Sequence, residues 1–347
     1  MAGIALALVL DAAILSAQVA AGYKEPVFHS YSNLIQIPVL VLDENRHSLP
    51  AKTPLPFAVS IDSGPEFPVK YARIEGSDPI ALAILLDLSG DQKGMLPLLA
   101  NAISGLAPQS LRSQDRVSIY GVDCHLVLTA ANIQPEPAQL QLAVSHVLQS
   151  PTVHGPGKQK NSPCAASPHL LDSVMYMISR LASQPGRRVI LAITDGNDKG
   201  SKHPWKEVKE YADSQGVAVF GLTGATADAL QFVSRDQEDH FMMLCELSGG
   251  MVRTTAPKAV AQSLKEFVSL VRNRYIVEFP RSNSLTAGVH SFGVKIQDTK
   301  EDYFIRASGI SLPIADRAVL ADPNTAPADP TKAPVPGNRR MMGNPKR

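Results

Sequence analysis

A chain of 347 residues, 44% of them apolar, is long enough to bury one large core, or one core with a smaller companion. Its 33 basic and 32 acidic residues leave a formal charge of +1, so there is no electrostatic case for nucleic acid or an anionic membrane surface. Three scattered cysteines, Cys124, Cys164 and Cys245, supply neither a disulfide framework nor zinc-ligand spacing.

The first 21 residues are rich in Ala, Leu and Val and end in small residues, which reads as an export signal cut near Ala20 or Ala21. Two features depart from that pattern: no Lys or Arg forms a basic start, and Asp11 interrupts the apolar run at a cost of about 3 kcal/mol near a bilayer centre. A buried N-terminal helix is the alternative. No membrane span is expected once the signal is removed, because the apolar runs on either side of Asp11 are short.

Residues 33–75 alternate as short antiparallel strands, NLIQIPVLVLD, PFAVSID and PVKYARIEG, separated by turn residues. Over 78–272 the pattern changes to apolar strands alternating with helical segments, the signature of a mostly parallel, doubly wound α/β sheet of Rossmann-like type. Strands are predicted at 81–87, 116–122, 188–194, 217–223 and 250–254. Helical periodicity falls at about 94–106, 137–149, 168–183, 204–214, 239–247 and 258–271. Within the fifth of these, HFMMLCELSGG reads as a buried helix face closed by glycine. Alternation returns over 273–313, and this second β segment can pair with the first into a small β domain, since neither is long enough to bury an apolar face alone. The tail, 315–347, is Pro-rich without apolar periodicity and reads as disordered.

In an open parallel sheet the ligand crevice lies beyond the carboxyl ends of the strands. Two strand ends carry chemistry there. LLDLSGD ends its strand at Asp87 and follows with Ser89 and Asp91 at alternate positions, and ITDGNDKG ends another strand at Asp195, where Gly196 permits a sharp turn. Either aspartate alone would read as a helix cap; together they read as a site. Asp123 and Asp198 read as solvated turn residues.

These motifs resemble the von Willebrand factor A (VWFA) family, whose metal-ion-dependent adhesion site reads D-x-S-x-S after the first strand, adds a loop Thr, and ends in an Asp after a later strand. Asp87 and Ser89 match the first two positions and Asp195 the last, while Asp91 stands where the family has a hydroxyl and Ser167 lies nearest the loop Thr. The resemblance implies Mg²⁺ or Mn²⁺ held by Asp87, Ser89, Asp91, Ser167 and Asp195, because such ions take octahedral oxygen ligands and keep several waters. Asp91 leaves two outcomes open: a tighter cation less able to take a partner's carboxylate, or crowded carboxylates with one pKa raised and no ion. The flanking segments are similar to those of VWFA-related exported bacterial proteins known from Acidobacteria. The resemblance thus implies a non-catalytic, exported module, periplasmic, outer-envelope or secreted, that binds an unidentified protein ligand through loops 87–94, 155–168 and 195–203. The alternatives are a metal-free scaffold of the envelope and a metal-dependent hydrolase using Asp87, Asp91 and Asp195, which lacks an identifiable base or nucleophile.

Other signals are weaker. A haloacid dehalogenase-type phosphatase needs an Asp where Ser89 stands, the single IDSGP turn fits a bend better than an aspartic protease, and there is no nucleophile elbow or phosphate loop. His125, His154, His169, His203 and His240 lack ligand spacing.

Overall fold

The computed structural model describes residues 34–49, 55–88, 94–123, 125–149, 169–198, 200–224, 239–282, 284–312 and 333–337. The N-terminal flank forms β1 (Leu34–Leu42), β2 (Phe57–Ile61), β3 (Phe67–Pro68) and β4 (Tyr71–Ile74). The α/β part follows as β5 (Ile80–Asp87), α1 (Leu96–Ser104), β6 (Arg116–Val122), β7 (Leu126–Ile133), α2 (Pro137–Gln149), α3 (Leu170–Leu181), β8 (Arg187–Ile193), α4 (Trp205–Gln215), β9 (Val217–Gly224), α5 (His240–Leu247), β10 (Val252–Thr255) and α6 (Val260–Arg272). The C-terminal flank adds β11 (Tyr275–Pro280), β12 (Gly288–His290), β13 (Phe292–Ile296), β14 (Phe304–Ala307) and β15 (Ile310–Leu312).

The central sheet runs β10-β9-β8-β5-β6-β7 and is parallel except for β7. Because β5 is buried along its whole length, its side chains split by strand parity between two faces. Leu82, Ile84 and Leu86 pack with α1, α2 and α6, whereas Ala81, Ala83 and Leu85 pack with α3, α4 and α5. Three helices on each face make the sheet doubly wound, and each fully buried Leu or Ile contributes about 1.5–3 kcal/mol. Among the described residues no helix is long and apolar enough to cross a membrane.

The edge strand β7 is absent from the sequence-based prediction. It pairs antiparallel with β6 through two register irregularities, and its residues are half-buried or exposed without regular alternation.

The two flanks interleave. β1 lies between β11 and β14, β11 also pairs β4, and β2 lies between β3 and β13. The pairing expected between the flanks therefore produces two sheets rather than one, with a short β12-β15 ribbon beside them. Their apolar sides close on one core that includes Ile37, Val39, Phe57, Val59, Val277 and Phe279. Buried ion pairs lie where this core meets the α/β part: Glu75 accepts two bonds from Arg274, at 2.8 and 2.9 Å, and lies 3.8 Å from Arg187 of β8, while Arg272 pairs with Asp115, which also accepts from the Ile80 N–H. The region 1–21 and loop 150–168 lie outside the described residues, as do Cys124, Cys164 and His154. Of the tail, residues 333–337 are described, and the Gly337 N–H donates to the Ile61 carbonyl.

Candidate functional site

From β5 the chain builds outward through β6 and β7 on one side and through β8, β9 and β10 on the other. The strand order reverses between β5 and β8, and such a switch point opens a crevice beyond the carboxyl ends of the two strands. Asp87 is the last residue of β5; Thr194 and Asp195 follow the last residue of β8, and the register sets Leu86 opposite Ile193. The sequence thus delivers both candidate carboxylates to adjacent strand ends. Ser89, Asp91 and Ser167 lie outside the described residues.

Asp87 is fully buried, and its Oδ2 accepts a 2.6 Å hydrogen bond from the Thr194 hydroxyl. That hydroxyl accepts in turn from the Gly196 N–H at 3.1 Å. Asp195 is half-buried, and its Oδ1 accepts from the Asn197 N–H at 2.9 Å, an Asx turn that Gly196 completes at φ +83°. Neither aspartate caps a helix: Met95 occupies that position for α1 and Pro204 for α4. Thr194 is a site residue that the motifs do not single out. Its one signal in the sequence is its place beside Asp195 at the end of an apolar strand.

The loop beyond Asp195 is clasped to the start of α3. His169 at the N-cap makes no side-chain cap, and the orphan N–H groups are met from the loop instead: Asp198 accepts from the Leu171 N–H at 3.1 Å, and the Ser201 hydroxyl accepts from the Asp172 N–H at 3.2 Å. Asp172 answers by accepting from the Lys202 and His203 N–H groups, each at 3.1 Å, and its Oδ1 lies 2.7 Å from the His203 Nδ1. Burial pushes the Asp172 carboxyl up, but these donors outweigh it and hold the group below the usual carboxylate range. Asp198, read as a solvated turn residue, is half-buried and accepts both from the Ser201 hydroxyl of its own loop and from the Leu171 N–H of α3, the second a partner that local spacing does not reveal. Asp123 is 6% exposed and is not solvated either.

Asp87, Asp195 and Thr194 present only oxygen donors, the chemistry of a hard ion such as Mg²⁺ or Mn²⁺. Among the described residues there is no group of three or more His, Cys, Asp or Glu able to hold a metal. Elsewhere, the IDSGP segment is a turn, with Asp62 and Ser63 at positive φ and Asp62 Oδ2 lying 2.6 Å from the His290 Nδ1. Cys245 is a buried core residue of α5, and burial pushes its thiol well up.

No family model matches the sequence, and no curated protein matches it. Solved structures similar to the chain include one von Willebrand factor domain, among others. The vWF domain of the type V pili tip protein Mfa5 from Porphyromonas gingivalis is 9% identical over 56% of this chain and 95% of that one, with a TM-score of 0.39. The conserved hypothetical protein BatB from Bacteroides thetaiotaomicron is 16% identical over 55% of this chain and 99% of that one, at 0.39. Proximal thread matrix protein 1 of the mussel byssus, with a zinc-occupied MIDAS motif, is 12% identical over 57% of this chain and 49% of that one, at 0.41.

Proposed function

We propose that this chain is an exported, non-catalytic protein-binding module of the VWFA-related type known from Acidobacteria, and that its crevice retains a divergent adhesion site for Mg²⁺ or Mn²⁺. The observation that carries the reading is the meeting of Asp87 and the Thr194–Asp195 pair at the ends of β5 and β8, where the strand order reverses. Asp87 and Asp195 would hold the ion, with Ser89, Asp91, Ser167 and waters completing the shell. A bound ion supplies a positive centre able to take a carboxylate of a partner protein, and the 195–203 loop, clasped on α3, sets where Asp195 stands.

Titration with Mn²⁺ and Mg²⁺ to millimolar levels raises the melting temperature of the export-trimmed protein in this reading, by mass action on the native state. Asp87→Ala removes the response. No shift in the wild type rejects the ion and leaves the metal-free scaffold as the reading. Turnover of phosphoesters or peptides that Asp87→Ala abolishes would instead make the crevice a hydrolase centre.

A further inference from the structure

The IDSGP turn, which takes no part in the adhesion site, carries a peptide of its own chain. Residues 333–337, Ala-Pro-Val-Pro-Gly, lie against it, although β15 ends at Leu312. The turn runs from Ile61 to Gly64, with the Gly64 N–H donating to the Ile61 carbonyl at 2.8 Å and Asp62 and Ser63 at φ +51° and +60°. Two consecutive left-handed residues, neither of them glycine, are uncommon, and such backbone persists only where its surroundings enforce it. The C-terminal flank supplies that enforcement. Asp62 Oδ2 lies 2.6 Å from the His290 Nδ1, its Oδ1 accepts from the Ser291 N–H at 3.0 Å, and its own N–H donates to the Ser291 carbonyl at 2.9 Å.

With the Asp62 side chain so committed, the backbone of the turn is what meets the tail. The Ile61 carbonyl accepts a second hydrogen bond, from the Gly337 N–H at 2.9 Å. A Cβ on residue 64 would fall 2.4 Å from the Val335 carbonyl oxygen. One on residue 337 would fall 2.3 Å from the Asp62 carbonyl oxygen and 2.5 Å from the Gly64 nitrogen. Gly337 is not in the left-handed region, so the close approach of the turn, rather than the local conformation, excludes a side chain there. The rest of the segment suits docking. Pro334 and Pro336 fix their own φ, which lowers the conformational entropy lost on binding, and neither brings an N–H that must be satisfied. Ala333 and Pro334 are buried, whereas Val335 is 60% exposed.

We infer that the Ile61–Gly64 turn is a binding site for an uncharged peptide of the form Pro-X-Pro-Gly, and that the chain's own tail fills it as a tethered, displaceable ligand. The geometry selects this class: the close approach demands glycine at the last position, the prolines preset the backbone, and the outward residue between them is free to vary. Among the described residues one backbone hydrogen bond joins the segment to the turn, a net contribution small enough to exchange. Tethering raises the effective concentration of the tail, so a free peptide binds only when the chain's own segment has left.

The test follows the Ser63 and Gly64 amides by NMR in the isotope-labelled full chain. Gly337→Val ejects the tail without altering the turn, and Gly337→Ala repeats the comparison with the smallest side chain. Both amides are expected to shift in these variants and to return towards their wild-type positions on saturable addition of acetyl-Ala-Pro-Val-Pro-Gly-Asn-amide. Wild type binds that peptide at least tenfold more weakly than Gly337→Val does. A peptide with alanine in place of its glycine is also at least tenfold weaker on Gly337→Val. Val335→Ser, at an exposed position, leaves the amides where wild type has them. Amides unmoved by Gly337→Val, a peptide that does not saturate, or equal binding of the alanine peptide each overturn the proposal. So does a wild-type spectrum that moves to that of Gly337→Val on dilution, which would assign the docked tail to a second copy. None of these outcomes depends on whether the crevice holds an ion.

Discussion

Thr194 donates its hydroxyl to Asp87 Oδ2 at 2.6 Å where the side chain is closed to water. Thr194→Val keeps the shape and removes this donor from Asp87 where water cannot replace it. The expected loss is about 1–3 kcal/mol in urea unfolding, largely restored by Thr194→Ser. A loss near zero would mean that other partners carry Asp87. At this scale the sequence is informative where a residue type breaks a run: Asp87 and Asp195 each end an apolar strand and stand out at once. Thr194 does not, because a threonine ending a strand is ordinary, and its role depends on a carboxylate 107 positions earlier in the chain.

At the scale of elements, two carboxylates on neighbouring helices titrate with opposite consequences. Asp172 on α3 is held below the usual range despite burial, so its contribution to stability is present above about pH 3.9, the ordinary carboxylate value, and is lost as pH falls through its folded-state pKa. Asp213 on α4 is pushed up, first by burial and against the pull of Lys209 and the nearby Gly309 N–H. Its contribution is present below the ordinary value and is lost as pH rises through the raised one. Melting temperatures between pH 3 and 7 should therefore show Asp172→Asn losing most against wild type near neutrality and converging with it in acid. Asp213→Asn should lose most in acid and recover relative to wild type as pH rises. Parallel curves for either variant would show that its carboxyl does not titrate differently in the folded state. The helices carrying these groups are legible to within about two residues because each has an apolar stripe at helical spacing. The clasp on α3 is not, since its donors and acceptors come from a loop some 30 residues away.

Over the whole molecule, the flanks are the part whose partners lie farthest apart in sequence. Their alternation is readable, and so is their need to pair, but alternation does not specify which strand meets which, and the chain resolves that choice into two sheets. β1 depends for both its neighbours on residues after 272, as β2 depends on β13 for one of its two. Glu75, 2% exposed, depends on Arg274 for its bidentate partner. A chain ending at Arg272 should therefore keep the central sheet, whose strands all lie between residues 80 and 255, while residues 33–75 lose their cover and are cleaved by trypsin at Lys70 and Arg73 within minutes. Part of that effect would come from Glu75, which keeps only the longer 3.8 Å pair with Arg187 once Arg274 is gone. Repeating the truncation with Glu75→Gln separates the terms: protection that returns makes the ion pair the tie, and continued cleavage makes it the lost strands. The pairing pattern favours the second result, because one carboxamide replaces a charge but cannot cover Ile35, Ile37, Val39 and Phe57.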